Sequence, residues 1–153
     1  MNAPRRYSRP RAAQGGAALL EALIAILIFS IGILAAVGMQ AAAIKNVTES
    51  KYRTEAAFLT NRLFAQIWTD ATNASSYAYP GSGTVPTRLT DWMAQVNTMP
   101  SAATLPPIVT VTNTTAQGGT VTIQLRWQLP EEASKGLAPH NYTAIAAVYA
   151  NSP

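Results

Sequence analysis

The sequence predicts an α+β protein: one long N-terminal helix, apolar in its first half and amphipathic in its second, packed on a small antiparallel β-sheet. Three observations predict it. A basic N-terminal stretch is followed by a long apolar run; apolar residues then recur at helical spacing to about residue 70; and beyond a Gly/Pro/Ser-rich break the chain turns to β-branched, alternating segments. A length of 153 residues accommodates one small domain plus one membrane segment.

The basic stretch comes first. Arg5, Arg6, Arg9 and Arg11 precede the apolar run with no acid among them. They are four of 11 Lys and Arg, so the other seven are matched by the seven Asp and Glu, and the net charge of +4 belongs to the N-terminus alone. That removes the main support for a nucleic-acid-binding face. The absence of cysteine excludes a disulfide framework, a thiolate zinc site and a cysteine nucleophile.

The next element is the apolar helix. No charged residue occurs from Ala22 to Ile44, a stretch of roughly 34 Å at about 1.5 Å per residue, against a bilayer core of about 30 Å. Upstream arginines and the mixed charges downstream (Lys45, Glu49, Lys51, Arg53, Glu55) predict a cytoplasmic N-terminus, with the C-terminal domain outside the inner membrane.

Glu21 stands out because Ala17, Ala18, Leu19 and Leu20 begin the apolar face before it. An acid inside a spanning helix costs about 2.5–3.5 kcal/mol, less toward the ends, so a partner is expected. Three readings compete. A secretory signal would have a shorter apolar core, about 7–15 residues, and a small-residue cleavage site, which "MQAAAI" imitates. A plain anchor accounts for the length but not for Glu21. A cut between Gly16 and Ala17 would create an α-amine four residues before Glu21, on the same helix face; the amine of one subunit could equally meet the carboxylate of its neighbour.

These residues resemble a known family. A basic leader, Gly16, a short apolar stretch and Glu21 five positions on are similar to the class III signal of type IV pilins and pseudopilins. The string "LLEALIAILIFSIGILAAVGMQ" resembles most closely the minor pilins called PilV, with their Leu-Leu-Glu start, Ser-Ile-Gly centre and terminal Gln. The match covers about residues 15–40. One departure is Ala17, where these proteins usually carry Phe or Met.

The resemblance implies that prepilin peptidase removes residues 1–16 by cutting after Gly16 and methylates the new amine of Ala17. It implies that residues 17–44 form the transmembrane and assembly half of the helix, that Glu21 registers one subunit against the next, and that residues 45–153 form a periplasmic pilin head. The implied partners are prepilin peptidase, other minor pilins and the major pilin, in the inner membrane and then in a pilus serving attachment and twitching motility. A minor pseudopilin of a type II secretion system shares the same leader and helix and is the nearest alternative. Gly32 and Gly38 weaken the helix by up to about 1 kcal/mol each; close helix–helix approach and, by the resemblance, local melting on filament entry both account for them.

Beyond the membrane segment, Tyr52, Ala56, Leu59, Leu63 and Ile67 fall on one helix face, widened by Phe64 and Trp68, so the helix is expected to continue to about Asp70. Residues Asn73 to Thr87 read as a loop. Thr90 is expected to cap a short helix from Asp91 to about Thr98, with Trp92 and Val96 on one face. Strands are expected at Ile108 to Thr112, at Thr120 to Leu129 and at Tyr142 to Tyr149. In the second, Val121, Ile123, Leu125, Trp127 and Leu129 point inward and Thr122, Gln124, Arg126 and Gln128 outward. Gly118 and Gly119 lie in the loop joining the first two strands, and "EEASKGLAPH" forms the second loop.

Chemistry is sparse. His140, the only histidine, reads as a solvated loop residue, and Glu131 and Glu132 as a solvated tip. Trp68, Trp92 and Trp127 read as core. Asn46, Asn73, Asn113 and Asn141 begin Asn-X-Ser/Thr triplets, common by chance in a Thr-rich chain. With no carboxylate pair, phosphate loop, nucleophile elbow or metal spacing, no enzyme, cofactor, metal or small-molecule substrate is expected, and no nucleic acid. A binding module merely anchored by the helix, such as a tip adhesin or DNA receptor, and a periplasmic enzyme on an anchor remain the readings of a different class.

Overall fold

The computed structural model describes residues 15–115 and 118–149. The expected leader lies outside the described residues up to residue 14, as do residues 116 and 117. The architecture is α+β. Two compact units, Met1–Asn46 and Val47–Pro153, divide the chain within its first helix, α1 (Gly15–Thr69).

In the first unit α1 runs without a break through the apolar segment. No proline interrupts it, and Ala, Leu and Ile dominate it. Gly32 and Gly38 remain helical, with no heavy atom within 4 Å of where a Cβ would stand. Ser30 hides its hydroxyl by donating to the Ile26 carbonyl at 2.7 Å. Every described side chain from Gly16 to Asn46 is exposed. Gly16–Thr69 is long and apolar enough to cross a membrane.

In the second unit the rest of α1 turns amphipathic. Ala56, Leu59, Leu63, Phe64 and Ile67 are buried, at the predicted spacing, in one core with Leu89, Trp92, Val96, Val109, Val121, Ile123, Leu125, Trp127 and Val148. At about 1.5–3 kcal/mol for each large side chain fully withdrawn from water, this cluster is the main force holding helix to sheet. Trp68 departs from expectation: it is 54% exposed. It lies at the rim of the stripe, stacked on Phe64 with ring centroids 6.0 Å apart, and its indole N–H reaches the Ala147 carbonyl at 3.0 Å. Thr60 is fully buried on the core face, and its hydroxyl has no hydrogen-bond partner among the described residues.

The sheet is antiparallel in the order β1 (Ile108–Thr115), β2 (Gly118–Trp127), β3 (His140–Val148). Alternation in β2 puts Val121, Ile123, Leu125 and Trp127 in the core. Thr122, Gln124 and Arg126 are half-buried, flanked by strands on both sides. The strand ends at Trp127, two residues before expectation, because Pro130 opens a short helix, α3 (Pro130–Ser134), and Leu129 becomes its half-buried cap. Gly118 and Gly119 belong to β2 and not to the loop.

Residues Asn73 to Thr87 are more ordered than expected. A 3-10 helix spans Ala71–Tyr77, bent at Asn73, and a 3-10 turn spans Thr87–Leu89. Asp70 organises the first: its carboxylate accepts the Asn73 amide at 2.6 Å and the Tyr77 hydroxyl at 3.0 Å. Tyr79 then bridges to Val109, N to O at 2.8 Å each way. Gly81, at φ +86, sits where a Cβ would stand 3.1 Å from the Ile108 side chain. Helix α2 (Thr90–Val96) buries Trp92 and Val96 as predicted, but Thr90 lies inside it and does not cap it. The preceding turn, Thr87–Leu89, runs straight into α2 and leaves no extended residue to act as a side-chain cap.

Candidate functional site

The residues singled out from sequence lie at the start of α1. Gly16 and Ala17 are in its opening turn, and Glu21 lies one turn beyond Ala17. Residues four apart share a face, about 6 Å apart along the axis, so Ala17 and Glu21 share one. All three are exposed, and Glu21 makes no ion pair among the described residues. This end of the helix therefore presents a lone carboxylate on an otherwise apolar cylinder.

A second cluster was not foreseen. His140 is the first residue of β3, and Glu132 stands in α3. Glu132, expected to be solvated, is 6% exposed. Its Oε2 lies 3.0 Å from His140 Nε2 and accepts the Leu129 main-chain N–H at 3.3 Å. The other ring nitrogen, Nδ1, lies 3.5 Å from Glu49 Oε1 on α1, and the ring stacks on Trp127 at 5.7 Å and 16°. The histidine thus ties α1, α3 and β3 together across Trp127. A neutral imidazole has one N–H and serves one carboxylate; a protonated ring has two and can serve both.

Pro130 opens the helix that brings Glu132 back toward the strand, and it was the only local signal available. Chemically the cluster is a structural tie. Its carboxylates face opposite ring nitrogens, and among the described residues no group of three or more His, Cys, Asp and Glu is placed to hold a metal ion.

A third polar group closes the C-terminal end of α1. Asp70 receives Asn73, Tyr77 and Arg88, and the Arg88 guanidinium also lies over the Tyr77 ring at 5.8 Å. The Asn73 hydrogen bond first, then those from Tyr77 and Arg88, hold the Asp70 carboxyl below its ordinary range, against the opposing effect of burial.

Comparison with known protein families, with curated proteins and with solved structures finds no match to this chain.

Proposed function

We propose that this protein is a minor pilin of a type IV pilus, made as an inner-membrane precursor, cut after Gly16 and assembled through α1. The observation that carries the reading is the start of that helix: Gly16 and Glu21, five positions apart, open an unbroken run of exposed apolar surface. Such a surface needs either lipid or other helices to cover it. A filament whose subunits pass from membrane to helical bundle supplies both in turn.

In that assembly Glu21 has a defined task. Cleavage leaves a cationic amine on Ala17, and the amine of one subunit meets the Glu21 carboxylate of the next. A register that leaves either charge unpaired in an apolar bundle is strongly disfavoured, so the pair selects one axial register between neighbours. By its resemblance to PilV-type proteins, the chain would act with other minor pilins to prime assembly of the major pilin, supporting attachment and twitching motility.

The test is the intact mass and N-terminal peptide of the protein from membranes, with and without prepilin peptidase. A methylated Ala17 that depends on the peptidase supports the reading. An uncut chain, or one starting near Ile44, overturns it. Deletion then separates a pilus component, lost with pili and motility, from a type II secretion pseudopilin, lost with enzyme export.

A further inference from the structure

The two carboxylates at the His140 ring differ in their access to water. The Glu132 side chain, 3.0 Å from Nε2, is 7% exposed, whereas that of Glu49, 3.5 Å from Nδ1, is 42% exposed. The charged groups around the ring come from three directions. Helix α3 supplies Glu132, and α1 supplies Glu49, with Lys45 and Arg53 four residues to either side of it in sequence. Strand β2 supplies the uncharged Trp127, and on β3 itself the next residue of the same face is Tyr142, also uncharged.

A neutral ring carries a single N–H, and the two carboxylates compete for it on unequal terms. Glu132 is too buried to turn to water, and a buried carboxylate set against a bare ring nitrogen would keep the cost of its desolvation without a bond to offset it. Glu49 can turn to water. The neutral ring therefore keeps its proton on Nε2, and the Nδ1 lone pair then faces the Glu49 oxygen, acceptor against acceptor. A second proton, on Nδ1, converts that contact into an ion pair. Imidazole is the side chain that ordinarily takes up a proton between pH 5 and 8.

We propose that His140 is a proton-operated clasp: it holds Glu132 in both charge states, and fastens Glu49, and with it α1, only when both ring nitrogens are protonated. The second contact matters because little else fastens that part of the helix. Between Val47, where the second unit begins, and Ala56, its first buried residue, Tyr52 is the one apolar side chain packed on the core. Once the ring is neutral, Arg53 can draw the Glu49 carboxylate away, since residues four apart share a helix face. The clasp belongs to the second unit and does not depend on the filament reading.

His140 is the only histidine in the chain, so a histidine-selective ¹⁵N label reports this ring alone. Full-length protein in detergent micelles would be titrated between pH 5 and 8, with both ring nitrogens followed by long-range ¹H–¹⁵N spectra. The expected neutral form carries its proton on Nε2. Glu49→Gln, at an exposed side chain, should weaken proton binding by the ring about two- to fivefold, as befits a partly exposed ion pair. Its titration midpoint then falls by about 0.3–0.7 pH units, and the neutral tautomer is unchanged. Glu55→Gln, which removes the same charge from α1 at a different position, should move the midpoint by less than about 0.1 pH units in ~0.15 M salt.

An unchanged midpoint in Glu49→Gln overturns the proposal, because proton uptake would then be indifferent to α1. So does a neutral ring that carries its proton on Nδ1, which would hold Glu49 in either charge state and leave no gate. An equal shift in Glu55→Gln would trace the effect to net charge and not to the contact, and likewise overturns it.

Discussion

Replacing His140 by Ala should destabilise the Val47–Pro153 unit by about 2–4 kcal/mol. The figure follows from what the ring touches. Glu132 is 6% exposed and would lose its contact to Nε2 at 3.0 Å; a hydrogen bond to a charged group is worth about 1.5–3 kcal/mol. The ring also leaves the face of Trp127, and a stacked aromatic pair contributes about 0.5–1.5 kcal/mol beyond area. Glu49 is 42% exposed and 3.5 Å away, so its share is taken as less than about 1 kcal/mol. Glu49→Gln should accordingly be mild.

The assay is urea unfolding of the full-length chain in detergent, followed by near-ultraviolet circular dichroism. All three tryptophans lie in the second unit, so the tryptophan bands of that spectrum report on it. If His140→Ala unfolds within about 0.5 kcal/mol of the unsubstituted chain, as an exposed-loop change would, the structural tie argued for Glu132 and His140 is wrong.

Other outcomes follow from the same structure. Asp70 has its carboxyl held low by Asn73, Tyr77 and Arg88. Its contribution is therefore complete above the unfolded value of about 4 and is lost as pH falls through the lower folded value; Asp70→Asn should flatten that part of a stability profile taken between pH 2 and 6. Trp92→Phe removes the 2.9 Å bond to the Leu59 carbonyl and should cost about 0.5–1.5 kcal/mol, against about 3–5 kcal/mol for Trp92→Ala, both read by the same unfolding curves. Thr90→Ala should change stability by less than about 0.5 kcal/mol, since Thr90 caps nothing; a loss near 1 kcal/mol would restore the cap. On the pilin reading proposed above, Glu21→Ala should leave processing largely intact and lower recovery in sheared filaments; normal recovery would remove the register role given to Glu21.

The fold was legible where burial repeats at a fixed interval. Ala56, Leu59, Leu63 and Ile67 declare a helix face, and Val121 to Trp127 a strand face, because each pattern is local and the core only has to accept it. Trp68 failed the same reasoning. It belongs to the stripe by spacing, yet it lies beyond the buried core, at the sheet margin, and a one-dimensional pattern does not carry that margin. Thr90 failed because a turn upstream had already set the helix entry. The polar tie was hidden for another reason: His140 is eight residues from Glu132 and far along the chain from Glu49, and only the folded sheet brings them together. The start of α1 differs again, since Gly16 and Glu21 are read from spacing in sequence and the fold adds only that both lie on one continuous helix.

The Asp70 cluster has a consequence for how the protein folds. A carboxylate just past the C-terminus of α1 faces the negative end of the peptide dipoles, and the last turn of that helix contains no basic residue. The compensating cation, Arg88, arrives from 18 positions downstream. The end of α1 is thus held both by the turns that follow it, through Asn73 and Tyr77, and by a distant segment, through Arg88. During folding the helix end should remain frayed until the turn at Thr87–Leu89 docks, so Arg88→Ala should slow folding only if that docking belongs to the transition state and otherwise speed unfolding alone.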